Sequence, residues 1–169
     1  VWNDCGADID AYPGLMILIS LDGRVIRANK FISRALGYTA EEVAGLGYES
    51  LVHPDDIEAV EAGLEQVLSG RPVMHNEFRI RHRSGEYLWF AWDSAAPVGK
   101  CFLMTGRDIT HQKAITESQR VLLEGCPDAL LALDANGRIV WVNAAAERLF
   151  GYPRPILKGR AVDGHLSTT

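Results

Sequence analysis

Cysteine is scarce in this 169-residue chain: Cys5, Cys101 and Cys126 stand alone and far apart. An odd number at that spacing builds neither a disulfide framework nor a Cys-x-x-Cys metal site, so the thiols read as structural ones in a reducing compartment. Long apolar runs are missing too. The longest, residues 15–21, is interrupted by Ser20 and falls well short of the ~20 residues that a bilayer span takes. No charged-then-apolar leader opens the chain, and the expected location is cytoplasmic. Basic charge is not in excess. Seventeen Lys and Arg face 22 Asp and Glu, mixed along the sequence for a net charge of −5, which excludes the basic stripe of a nucleic-acid-binding surface. A Gly-rich phosphate loop, a Ser/His/Asp grouping and a Cys/His cluster are all absent, so no catalysis is expected within these residues.

What is present is a repeat. The hydrophobic fraction of 47% and charged fraction of 23% are those of a globular protein. Sliding the chain onto itself aligns residues 13–45 with 127–159 without a gap. Gly23/Gly137, Arg24/Arg138, Asn29/Asn143, Gly37/Gly151, Tyr38/Tyr152 and Gly45/Gly159 are identical pairs, with apolar positions matched between them. The period is far longer than a solenoid layer, so each copy is a domain. The second copy stops before the elements that follow in the first, and the chain reads as cut from a longer protein.

Within a copy the signals are local and consistent. Two short β-rich runs flank Asp22-Gly23, which predicts a hairpin with a tight two-residue turn. Asn29 sits where strand gives way to helix and reads first as a capping residue. Phe31, Ile32, Ala35 and Leu36 follow at helical spacing, and Gly37 ends that helix. Thr39 and Glu42 form a capping box for another short helix. Pro54-Asp55-Asp56 opens the longest helical pattern of the first copy, running to Leu68, and carboxylates there suit a helix N-terminus. Three strands follow, over residues 73–82, 86–97 and 100–107, the first two joined at Ser84-Gly85. Two strands, several helices and three strands, with helices grouped on one face of an antiparallel sheet, make the fold class α+β.

Asp22-Gly-Arg-Val-Ile-x-x-Asn29, Leu36-Gly-Tyr38 and Glu41-Glu-Val-x-Gly45 resemble the PAS domain. His53-Pro-Asp-Asp56, Glu77-Phe-Arg-Ile-Arg81, Ser84-Gly-Glu-Tyr-x-Trp89 and Gly106-Arg-Asp-Ile-Thr110 are similar to its companion PAC segment. The resemblance implies a PAS-like five-stranded antiparallel sheet with short helices on one face, over residues 8–110. A helical signalling linker over 111–126 and the N-terminal half of a second PAS-like unit over 127–169 complete the expected organisation. It further implies a sensory input module that works as a homodimer and relays a signal to an output domain of the same chain. A bacterial histidine kinase leads as that output. A cyclic-dinucleotide enzyme, a flavin- or haem-based redox or gas sensor, and a ligand-free dimerisation module are the alternatives.

The cofactor stays open between none, a flavin held without a covalent bond, and a small organic ligand, with haem disfavoured. The stretch Gly45-Leu-Gly-Tyr-Glu-Ser-Leu51 lacks the reactive cysteine of flavin photosensors. Of the histidines, His53 reads as a cap, while His75, His82 and His111 read as exposed. Asn29, Tyr38, Phe78, Trp89, Phe102 and Met104 are the candidate cavity lining, against the alternative that these side chains fill a closed core. By resemblance, Asp108, Ile109 and Thr110 couple the sheet to the linker helix. Ile115, Leu122 and Leu123 form its apolar seam, the expected dimer contact. In the second copy Leu130, Leu133, Ile139, Trp141, Leu149 and Phe150 are expected to lack part of their cover, leaving that half the less stable.

Overall fold

The computed structural model describes residues 9–162; Cys5 and the expected domain's stretch from residue 163 onward lie outside the described residues. The chain divides into two compact units between His111 and Gln112. Five strands build the first: β1 (Leu15–Ser20), β2 (Val25–Ala28), β3 (Val73–Arg81), β4 (Tyr87–Ser94) and β5 (Cys101–Asp108). They form one antiparallel sheet in the order β2-β1-β5-β4-β3. Helices α1 (Phe31–Leu36), α2 (Ala40–Val43) and α3 (Ile57–Leu68) lie in sequence between β2 and β3. α4 (Thr110–Gly125) follows β5.

Alternation makes the strands. In β1, Leu15, Ile17 and Ile19 are buried while Met16, Leu18 and Ser20 are half-exposed, the period of a strand with one covered face. Ile32, Leu36, Val43, Val67 and Phe90 are the most deeply buried side chains of the core. Burial of each such side chain contributes about 1.5–3 kcal/mol. The local signals for the short helices are realised as expected. Gly37 closes α1 at φ 75°, and Thr39 and Glu42 exchange both bonds of a capping box around the start of α2.

The first hairpin departs from expectation. Ser20 N–H donates to Arg24 C=O and Gly23 N–H to Ser20 C=O, so the connection has three residues, 21–23, with Gly23 at φ 80°. The β3–β4 connection is built alike: His82 N–H donates to Glu86 C=O across residues 83–85, with Gly85 at φ 95°. Three-residue loops ending in a left-handed glycine carry one residue more than a two-residue turn, and one residue reverses the inward face of a strand.

The free edge of β3 is covered by the segment that leads into α3. His53 N–H donates to Arg79 C=O and Arg81 N–H to Leu51 C=O. The Asp56 carboxylate accepts from Arg79 N–H at 2.9 Å and from its guanidinium at 2.7 and 2.9 Å. That pairing leaves no long unpaired edge at this side of the sheet. Asp56 therefore does more than complement the helix end: it fastens α3 to β3.

The second unit contains the remainder of α4, then β6 (Leu131–Leu133), β7 (Ile139–Val142), α5 (Ala144–Phe150) and α6 (Arg154–Leu157). Its core is small: Ile139, Val142, Ala146 and Leu157, with Ala129, Leu131 and Phe150 packed against it. Leu133 and Leu149 are exposed, as the sequence leads one to expect. Ile139 is instead 1% exposed, and Leu130, Trp141 and Phe150 are half-buried, because α5 and α6 close over β7.

Candidate functional site

A cavity of about 90 Å³ lies in the first unit between the sheet and α3. Ile17 and Ile19 of β1, Phe102 and Met104 of β5, and Trp92 and Ser94 of β4 form its sheet wall. β3 adds Asn76, Phe78 and Ile80, and α3 adds Val60, Gly63, Leu64 and Val67. Tyr48, Leu51 and Val52, from the loop before α3, line the remaining side. No lysine, arginine, aspartate, glutamate or histidine lines it. The polar groups are few. The Tyr48 hydroxyl donates to Glu61 at 3.1 Å, and burial first, then Glu61, pushes that phenol's pKa up. Trp92 Nε1, buried, meets no acceptor among the described residues. Asn76 and Ser94 supply an amide and a hydroxyl.

Of the residues singled out from sequence, Phe78, Phe102 and Met104 line this cavity and the other three do not. Trp89 lies on the opposite face of β4, where the Arg79 guanidinium sits 5.2 Å from its ring centre. The three-residue hairpin is the reason: it pairs Phe78 with Phe90 and Arg79 with Trp89, and directly paired residues share a face. The inward tryptophan is therefore Trp92. Its ring stacks on Phe78 at 5.6 Å and on Phe90 at 5.5 Å, both centre to centre. Tyr38 packs against the core away from the cavity, and Tyr48 holds the position expected of it. Placing Tyr48 required knowing how the loop before α3 folds back on the sheet, which no local pattern signals.

Asn29 is neither at the cavity mouth nor the cap of α1, whose N-cap is Lys30 without a side-chain bond. It is fully buried and clamps the chain entering β1. Its Oδ1 accepts from Met16 N–H, and its Nδ2 donates to the carbonyls of Ile9 and Gly14. Asn143 does the same 114 positions later, accepting from Leu130 N–H and donating to Leu123 and Asp128 carbonyls. Each partner keeps the same offset, so the structural repeat starts earlier than the sequence repeat does. In the second unit the last turn of α4 stands where Ile9 and Asp10 stand in the first. Asp10 accepts from Lys30 N–H, and Glu124 from Ala144 N–H. Asn143 does cap α5, through Ala146 N–H.

Glu124 is also held by Arg154, at 2.7 Å from each carboxylate oxygen, and Arg154 binds Glu147 as well. Those hydrogen bonds hold both glutamates below their ordinary carboxylate pKa. At its other end, α4 begins on the sheet. Thr110 N–H donates to Asp108 Oδ1 at 2.8 Å, and Thr110 Oγ1 accepts from Trp89 N–H at 2.9 Å. Ile109, buried, donates its N–H to Trp89 C=O. Ile115, Leu122 and Leu123 are 46, 74 and 47% exposed along α4.

His53 caps the turn before α3 through its Nδ1, and His75, His82 and His111 stand away from the cavity. His75 is the one described residue other than glycine at positive φ, at a bulge in β3 where its N–H meets Asp93. No histidine lines the cavity, so it offers no proximal histidine for a haem iron. Its volume is below the roughly 300 Å³ at which pockets take ligands of drug size. Among the described residues no cluster of His, Cys, Asp and Glu is placed to hold a metal ion, and no helix is long and apolar enough to cross a membrane.

A family model described as the PAS fold matches residues 25–106, and a second, also described as the PAS fold, matches residues 118–165. The probable diguanylate cyclase DgcE of Escherichia coli (strain K12) is 23% identical, over 89% of this chain and 14% of that protein. The oxygen sensor protein DosP of the same organism is 27% identical, over 88% of this chain and 21% of its own length. The chain thus spans less than a quarter of either relative. A domain of the sensory box sensor histidine kinase/response regulator from Geobacter sulfurreducens superposes with a TM-score of 0.54. It is 22% identical, and the match covers 63% of this chain and 93% of that one. At that identity the likeness is one of fold.

Proposed function

We propose that this chain, which belongs to the PAS-fold family through two units in tandem, is the input region of a signalling protein whose first unit senses a small ligand and reports it through α4. The observation that carries the reading is the double role of β4. Trp92 faces the cavity, and three residues earlier the backbone of Trp89 is hydrogen-bonded to Ile109 and Thr110, where α4 begins. A displacement of β4 by a ligand reaches the first turn of α4 directly, with Asp108 holding Thr110 in place. In this reading Asp108, Ile109 and Thr110 are the relay.

Thr110→Val keeps the shape of the side chain and removes its acceptor. Loss of one hydrogen bond of about 1 kcal/mol predicts roughly fivefold faster hydrogen exchange in the first turn of α4, with β1 and β5 unchanged. Unaltered protection there would end the case for Thr110 as the coupling residue.

The module works as a parallel homodimer through α4. Ile115 and Leu122 lie seven residues apart, the spacing of one helical seam, and Leu123 adjoins them. Sedimentation checks this: the chain is expected to be a dimer, and Leu122→Glu/Leu123→Glu a monomer of unchanged secondary structure. A wild-type monomer at high micromolar concentration would contradict it. The units are placed in the cytoplasm, in keeping with the free thiols of Cys101 and Cys126. A histidine kinase is the output we favour. A diguanylate cyclase is the second reading, favoured by the Escherichia coli relative that aligns over most of this chain. Autophosphorylation by the whole protein, as against synthesis of a cyclic dinucleotide, separates the two.

A further inference from the structure

We infer that the cavity of the first unit takes an uncharged, compact, mainly apolar ligand that brings one hydrogen-bond acceptor to the indole N–H of Trp92. The inference rests on the reading of that cavity as the sensory pocket and gives it a ligand class.

Trp92 is 2% exposed, and its Nε1 has no acceptor among the described residues. A buried donor left unpaired is costly, and indole nitrogen can only donate, so the missing partner must be an acceptor. The ring cannot swing away to find one. Phe78 and Phe90 stack on it, and it lies flat across Gly106, where an added Cβ would be 2.7 Å from the ring. Gly106 sits opposite Trp92 in the β4–β5 pairing, so the glycine makes the room that the indole fills.

The surroundings narrow the class further. An ion entering the cavity would find no counter-charge, because no lysine, arginine, histidine, aspartate or glutamate lines it, and burial of an unpaired charge is prohibitive. The Tyr48 hydroxyl is already committed to Glu61. Asn76 reaches over Gly63, where a Cβ would come within 2.8 Å of its Nδ2, and gives the α3 wall an amide that accepts or donates. Small ketones, lactones and ethers meet these requirements; carboxylates, phosphates and amines do not. About 90 Å³ sets the size.

Three probes of matched ring size test this on the whole chain: cyclohexanone, methylcyclohexane and cyclohexanecarboxylate. Nitrogen-15 NMR of the tryptophan indole groups reads the binding, with the Trp92 signal assigned by its loss in Trp92→Phe. Cyclohexanone is expected to move the Trp92 N–H proton downfield and to bind about tenfold more tightly than methylcyclohexane, as one hydrogen bond to a buried donor predicts. Cyclohexanecarboxylate is expected not to bind. In Trp92→Phe the preference for the ketone over the hydrocarbon should vanish. Leu64→Phe, which fills the cavity from α3, should abolish binding of both.

Equal binding of ketone and hydrocarbon with an unmoved Trp92 signal, still blocked by Leu64→Phe, would overturn the acceptor assignment and leave the cavity as a ligand site. Preferential binding of the carboxylate would overturn the uncharged class. Binding of none of the three, or binding that Leu64→Phe leaves untouched, would overturn both this inference and the sensory reading of the cavity. Should Trp92→Phe fail to fold, Trp2→Phe, Trp89→Phe and Trp141→Phe assign the other three indole signals, and the wild-type shift of the remaining one decides the first point.

Discussion

Asn29→Ala is expected to destabilise the first unit by about 2–4 kcal/mol, since it removes three hydrogen bonds of a fully buried side chain and leaves their half-buried partners unpaired. The side chain is fully buried, and its amide is used on both sides. Oδ1 receives Met16 N–H at 3.1 Å, while Nδ2 serves the carbonyls of Gly14 at 2.7 Å and Ile9 at 3.1 Å. Alanine fills none of that space and satisfies none of those groups. Urea unfolding followed by circular dichroism, with hydrogen exchange to say which unit has opened, measures the loss. A cost under 1 kcal/mol would mean that water replaces the amide. Asn143→Ala provides the internal comparison, because it opens the second unit and frees Leu123, Asp128 and Leu130 there. It also releases the end of α4, so it should loosen the helix from its far end while leaving Thr110 on β4.

Asp56→Ala is expected to cost about 2–3 kcal/mol, the range for charge-assisted hydrogen bonds lost at a partly buried site. Its carboxylate is 14% exposed and binds Arg79 through the guanidinium and the backbone N–H together. Without it α3 loses its tie to β3, and the Arg79 N–H at the sheet edge is left to solvent. The pair also sets an acid response. Arg79 holds Asp56 below its ordinary pKa of 3.8, so the folded state favours the ionised form. The stabilisation is therefore complete above about pH 5 and is lost as pH falls through the lowered folded value. Asp56→Asn removes that titration, so the difference in stability between wild type and variant should shrink as pH falls from about 5 to 2. A difference independent of pH would show that the carboxylate's charge contributes nothing. Glu124 and Glu147, also lowered, give the second unit an acid response of the same sign, and the comparison with Asp56→Asn cancels it.

These two sites differ in how visible they are in the amino-acid order. Asn29 is marked by its recurrence at position 143, yet its location at the end of a strand suggests a helix cap. Its partners are 13, 15 and 20 residues away, and nothing near it in the chain names them. Asp56 looks like a first-turn carboxylate because that local role suffices to explain it. Arg79, its real partner, is 23 residues distant.

What the amino-acid order determined by itself was whatever a few neighbouring residues decide. The repeat, the succession of strands and helices, the Thr39–Glu42 capping box and the glycine stop at Gly37 all follow from contacts within one or two turns of chain. The tertiary structure alone decided which side chains meet across the sheet. The pairing across the three-residue 83–85 loop turned Trp92 inward and Trp89 outward, because strand side chains alternate and a shift of one position exchanges the faces. The fold of the loop before α3 likewise put Tyr48, not Tyr38, beside the cavity. The repeat was legible because folding signals are local, and the cavity lining was only half legible because its register is set by long-range pairing.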